Sequence, residues 1–268
     1  MLNCKFPISL FLLLSLLSLT SEAAPTYASH DCSNSTFFIP NSTYQANLKL
    51  LLSSLSSNAT RQDGFYKSTV GQSPPDVATG LFLCRGYLTP TACQDCISNA
   101  TKDIQNRCPF DKVILIWYDE CMLRYSNESD LNNLVPFRYM FTTDQNIAEA
   151  ELDRFNELLA STMKSLAQTA ANSQSNKRFV TAVNKFTNSL TLYSLVQWIP
   201  ELTVSECLTV LESAIANLPT CCNGKQGGRV LLPSSNVRYE LYPFFNYTAS
   251  SPTLIHLFFL QVRFKYAY

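Results

Sequence analysis

The chain has 268 residues, with 20 Lys+Arg against 20 Asp+Glu, two His and ten Cys. A formal charge of zero removes the basic surface that a nucleic-acid binder needs, and His30 and His256 leave little for a zinc enzyme or a His-based acyl-transfer triad. With 46% apolar and 15% charged residues it has material for packed cores and is not a disordered charged tail.

Residues 1–23 read as a secretory signal peptide. Lys5 precedes the apolar run Phe6–Leu19, and Thr20-Ser21-Glu22-Ala23-Ala24 supplies a small-residue cleavage zone, placing cleavage near Ala23. The run is about 14 residues, short of the roughly 20 that cross a bilayer, so no membrane span is expected. Asn-x-Ser/Thr sequons begin at Asn34, Asn41, Asn58, Asn99, Asn127 and Asn246. Together with the leader they imply an oxidising, glycosylating lumen, a secreted product, and disulfide formation among the cysteines left after Cys4 is removed.

The first element after the leader is a helix over Asn41–Leu55, with Tyr44, Leu48, Leu51, Leu52 and Leu55 on one face. A strand follows at Phe65–Val70, then a second, shorter helix after Pro90 with Thr91 available as its cap, then strands at Val113–Tyr118 and Met122–Tyr125. A second long helix is read at Glu149–Leu166 through Leu152, Phe155, Leu158, Leu159, Met163 and Leu166. Phe179–Thr187 is strand-like, the segment after Thr203 is helical with Ser205 as a possible cap, and Arg229–Leu232 and Val237–Tyr242 are strands.

This order repeats. Cys84, Cys93, Cys96, Cys108 and Cys121, shifted by 114, fall on Trp198, Cys207, Val210, Cys222 and Ser235. The same shift relates Leu88 to Leu202, Thr89 to Thr203, Arg124 to Arg238 and Tyr125 to Tyr239. Two homologous modules result, residues 24–134 and 135–247, joined without a Pro/Gly/Ser-rich linker and therefore expected to pack together. Helices and strands without a βαβ rhythm give an α+β class, each module an antiparallel sheet packed on two helices.

The spacing Cys84-x8-Cys93-x2-Cys96 resembles the signature of the plant salt-stress-response/antifungal domain, typified by ginkbilobin-2. Residues 218–230 (LPTCCNGKQGGRV) and 236–244 (NVRYELYPF) resemble the second extracellular domain of cysteine-rich receptor-like kinases and of cysteine-rich repeat secretory proteins. The resemblance covers about Tyr27–Tyr247. It implies a five-stranded antiparallel sheet per module and the disulfides Cys32–Cys108, Cys84–Cys93 and Cys96–Cys121 in module one. A redox role for Cys93-x2-Cys96 loses to these structural bridges. Module two departs from the family: Val210 and Ser235 replace one pair, Trp198 replaces the partner of Cys207, and Cys221 and Cys222 have no evident partners. Three cysteines cannot all pair internally, so at least one free or intermolecular thiol is expected there. Cys207 itself also reads as a buried apolar side chain on its helix.

No G-x-S-x-G, P-loop, H-E-x-x-H or EF-hand pattern is present, and no cofactor or metal is implied. Gly224-Lys225-Gln226-Gly227-Gly228 lacks P-loop spacing and reads as a turn entering the strand at Arg229. Asp119-Glu120 would point to opposite strand faces and not across one cleft, so an enzyme is not expected. Ginkbilobin-2 binds mannose through an Asn, an Arg and a Glu; by resemblance the Arg and Glu fall on Arg229 and Glu240, while Asn146 matches the Asn only loosely. A guanidinium and a carboxylate can grip adjacent sugar hydroxyls. The competing reading of Arg229 and Glu240 is a cross-strand ion pair. In module one the three places hold Ser33, Leu115 and Ser126, which argues against mannose there. Tyr239, Tyr242, Phe244, Phe245 and Tyr247 alternate imperfectly and are assigned mostly to core and inter-module packing.

Residues 248–268 form a divergent tail, with the apolar stretch Leu254–Val262 and no kinase signature after it. The resemblance then implies a secreted, apoplastic, non-catalytic recognition protein in defence or stress signalling. Its partner would be a mannose-type carbohydrate or a cell-surface protein. The alternatives are a mannose-binding antifungal lectin and the ectodomain fragment of a truncated receptor-like kinase. Ligand and oligomeric state stay open.

Overall fold

The computed structural model describes residues 24–129, 131, 138–173 and 178–245. The signal peptide, the tail and Asn246 lie outside them. No helix among the described residues is long and apolar enough to cross a membrane.

Module one runs β1 (Tyr27–Cys32), α1 (Thr43–Ser57), β2 (Phe65–Val70), β3 (Ala78–Cys84), α2 (Pro90–Arg107), β4 (Ile114–Tyr118) and β5 (Cys121–Ser126). Module two runs β6 (Tyr139–Thr142), a 3-10 turn at Glu149–Glu151, α3 (Leu152–Ala171), β7 (Phe179–Lys185), β8 (Thr191–Trp198), α4 (Val204–Ala216), the short α5 (Leu218–Cys222), β9 (Gly227–Leu231) and β10 (Ser235–Glu240). The two antiparallel sheets have orders β1-β4-β5-β3-β2 and β6-β9-β10-β8-β7, so every strand has its counterpart at the same place in the other sheet. The class is α+β, two homologous modules.

Local chemistry fixes the helices. In α1, Tyr44, Leu48, Leu51, Leu52 and Leu55 are all buried, and the Ser42 hydroxyl accepts from Gln45 N at the helix start. The caps of α2 and α4 are Thr89 and Thr203, two residues earlier than the Thr91 and Ser205 read from the sequence, and α2, at 18 residues, is longer than the 15-residue α1 and not shorter. Pro90 occupies the first turn, where its missing N–H costs nothing, so the cap must precede it. Thr203 closes a capping box with Glu206.

Each sheet covers its helices with one face. Leu51, Leu55, Ile97 and Ile104 meet Phe82, Ile116 and Leu123 in module one; Phe155, Met163, Leu166 and Leu211 meet Val196, Val230 and Tyr239 in module two. The other faces pack on each other around Leu81, Leu83, Leu115, Trp117 and Met122 of module one with Ile199 and Leu231 of module two. Burial on both faces explains why β3, β4, β5 and β9 are buried along their whole length.

The bridges Cys32–Cys108, Cys84–Cys93 and Cys96–Cys121 tie β1, β3 and β5 to α2 and its C-terminus. In module two the equivalents of Cys96 and Cys121 meet without sulfur: the Ser235 hydroxyl donates to the Val210 carbonyl at 3.5 Å. Trp198 and Cys207 sit in the core cluster, Cys207 as a buried free thiol. Cys221 and Cys222 are bonded to each other.

Candidate functional site

Arg229 and Glu240 lie on β9 and β10, on the sheet face turned toward module one. The register sets Arg229 opposite Arg238 and Glu240 opposite Gly227, so the two sugar-site candidates are not direct cross-strand partners. Arg229 instead donates from Nη1 to Asp119 Oδ1 of module one at 2.6 Å, with its guanidinium 4.9 Å from the Phe141 ring centre. Glu240 accepts from Arg238 Nε at 3.0 Å through one oxygen; the other, Oε2, is buried without a hydrogen-bond partner. Burial raises the Glu240 carboxyl above the ordinary carboxylate value, against the opposing charge of Arg238. Arg238 also donates to the Tyr242 hydroxyl and lies over the Phe244 ring.

These groups belong to a junction between the modules. Arg85, buried and pushed down to about 10 by desolvation, donates to the carbonyls of Asp119 and Tyr118. Gln197 Nε2 donates to the Cys84 carbonyl at 2.8 Å, and the Tyr139 hydroxyl to the His30 carbonyl at 2.9 Å. Lys67 pairs with Glu201 at 2.8 Å on its rim. Tyr139 packs edge-on against Trp117, and Phe245 meets Tyr87 at a tilt of 39°. Gly86 is required by close approach: a Cβ there would sit 1.9 Å from Cδ1 of Phe179 across the junction.

The three sugar-candidate positions are not gathered on one open surface. Asn146 is exposed and bridges to Lys225, while Arg229 and Glu240 are less than a tenth exposed. Of the module-one equivalents, Leu115 is buried in the junction and Ser126 is fully buried. Of the aromatic series, Tyr239 is core, Phe245 is in the junction and Tyr242 is half exposed. Among the sequons within the described residues, Asn34, Asn41 and Asn99 are exposed, and Asn58 and Asn127 are half-buried. All five belong to module one. The one His/Cys group found among the described residues is His30 with Cys32 and Cys108, whose two sulfurs are joined to each other.

The sequence pattern did not reveal a second feature, an open apolar cleft of about 260 Å³ on the helix side of module two. Leu159, Met163, Ile215, Leu218 and Cys222 line it, with Asn156 and Asn223 hydrogen-bonded to each other at its edge.

The salt stress response/antifungal family profile matches residues 31–128 and again 141–242, one match per sheet-and-helix module. The chain belongs to that family. Its relatives in Arabidopsis thaliana include cysteine-rich receptor-like protein kinase 25, 43% identical over 91% of this chain and 36% of the kinase. Cysteine-rich receptor-like protein kinase 9 is 39% identical over 85% of this chain and 86% of its own length. Against kinases 25, 5 and 20 the chain spans about a third of the relative's length. Among solved structures, the tandem DUF26 ectodomain of the Arabidopsis thaliana receptor-like protein PDLP8 superposes with a TM-score of 0.66 at 19% identity, covering 81% of this chain and 99% of that one. That of PDLP5 gives 0.64 at 24% identity, covering 81% and 100%. Antifungal-family membership and the tandem DUF26 fold thus agree with the duplicated architecture; the fold likeness carries no ligand with it.

Proposed function

We propose that this chain is a secreted, non-catalytic recognition protein of the plant cell surface, engaging a protein partner with its two modules acting as one body, in defence or stress signalling. The observation that carries the choice of a protein partner is the junction: Arg229 and Glu240, the side chains that would grip a sugar, hold Asp119 and Arg238 instead. The leader and sequons support secretion, and kinship with receptor-like kinases supports a cell-surface setting. The match to about a third of several such kinases is equally compatible with an ectodomain fragment. A lectin reading has in its favour only the residue types at Arg229 and Glu240.

The test is a titration of labelled secreted protein on wall-free plant protoplasts, on protease-treated protoplasts and on mannan, with Arg229→Ala and Glu240→Ala alongside. Saturable binding to intact protoplasts that protease abolishes, with none to mannan, is the expected result. Saturable mannan binding lost in both variants would make module two a lectin and overturn the choice of a protein partner.

A further inference from the structure

Module two carries two adjacent cysteines at one turn. α5 ends in Cys221 and Cys222, bonded to each other, with Cys222 in the wall of the apolar cleft. We propose that this pair is a thiol–disulfide exchange site for a small-molecule thiol of the glutathione class, with Cys221 the sulfur attacked and Cys222 the sulfur that leaves.

Four observations support this. The first is loop size. A disulfide constrains the unfolded chain by an amount that grows with the logarithm of the loop it closes, and the separations in module one are 9, 25 and 76 residues against 1 here. Opening Cys221–Cys222 therefore removes almost none of the fold's covalent restraint. The second is access: Cys221 is half-buried, so the pair is more open than Cys84–Cys93 and Cys96–Cys121, whose four cysteines are 2% exposed or less, and as open as Cys32–Cys108, where Cys32 is half-buried too. Exchange needs a thiolate to reach a sulfur, and exposed bridges are the labile ones.

The third observation concerns the product. Cys221 Sγ lies 3.5 Å from the Leu218 carbonyl oxygen and Cys222 Sγ 3.4 Å from that of Phe141. A carbonyl oxygen therefore stands near each sulfur and can accept from its S–H once the pair opens. The fourth is that Cys222 stays in place. Its carbonyl accepts from the Tyr239 hydroxyl at 2.9 Å, and its side chain occupies the space a Cβ on residue 228 would need, 2.7 Å from Sγ, which Gly228 leaves free. A leaving sulfur so held remains beside Cys221 and can close the ring again. Cys207 does not compete, because it is buried and burial pushes its thiol up to about 11.

A reagent thiolate attacks Cys221 Sγ, a reagent–Cys221 bond forms, the Cys221–Cys222 bond breaks, and its electron pair goes to Cys222, which takes a proton. A second reagent thiolate attacks the reagent sulfur of that mixed disulfide. It releases the reagent's disulfide, and Cys221 takes a proton. Two reagent thiols are oxidised while one protein disulfide is reduced.

The test incubates folded secreted protein with graded glutathione, quenches with N-ethylmaleimide and maps labels by peptide mass spectrometry. Cys221 and Cys222 should be labelled at a thiol concentration about tenfold below that needed for any module-one bridge, with an unchanged melting temperature. Under oxidised glutathione, Cys222→Ser should carry one glutathionyl group on Cys221, and Cys221→Ser should carry none on Cys222. Opening of all four bridges at one concentration overturns the proposal, as does equal glutathionylation of the two variants. The wild-type dose series decides the matter even if a variant fails to fold.

Discussion

At the scale of single residues, a cysteine left without its partner is stored as apolar filler. Cys207 keeps its helical position while Trp198 fills the place of the lost partner, and both are 2% exposed or less. Folded, non-reduced protein freed of its leader should take no alkyl label on Cys207, and the same protein unfolded without reductant should take one. No label in the unfolded monomer would show that Cys207 is bonded after all. Glu240 offers a second test. Burial raises its carboxyl in the folded state, so the native protein holds a proton that the unfolded chain has already released, and stability falls as pH rises. That contribution is complete below the ordinary value of about 4.3 and is lost as pH passes through the raised one. Thermal melts from pH 4 upward should show the wild type losing ground to Glu240→Gln; parallel curves would remove Glu240 as the source.

At the scale of elements, the duplication shows which restraints the fold can lose. Module two holds the same strand order and helix placement as module one without its three long-range bridges. At one of these places the Ser235 hydroxyl reaches the Val210 carbonyl, so the two backbones stand close, as they do beneath Cys96–Cys121. The double variant Val210→Cys/Ser235→Cys should therefore form a bridge and raise stability by about 2–4 kcal/mol. Two free thiols in the folded variant would show that the backbones diverge. The helices were legible because a 3.6-residue apolar period survives in α1 and α3. The caps were misplaced by two residues because Thr91 and Ser205 lie in the first turn, where the same residue type is also common. Four strands leave no readable pattern in the sequence: β1, β3, β6 and β8. In β3 (ATGLFLC) and β8 (TLYSLVQW) the polar–apolar alternation is erased, because one face meets helices and the other faces the junction.

At the scale of the whole molecule, the junction makes two modules one unit. Calorimetry should give a single unfolding transition, since an apolar core and buried polar links such as Gln197 to the Cys84 carbonyl cross the boundary. Two separated transitions in the wild type would refute that coupling. Gly86→Ala should drive its Cβ into the Phe179 ring and cost about 1–3 kcal/mol, with Phe179→Leu restoring part of the loss. A neutral Gly86→Ala would mean the contact yields freely. The duplication, the α+β class and the long helices are legible along the chain as spacing and periodicity, and the family as a resemblance of motifs. Only the tertiary structure decided what Arg229 and Glu240 hold, why glycine occupies position 86, and that Cys221 closes on Cys222. Each of these depends on groups brought together from across a sheet, from the other module, or by a turn whose direction no local pattern encodes.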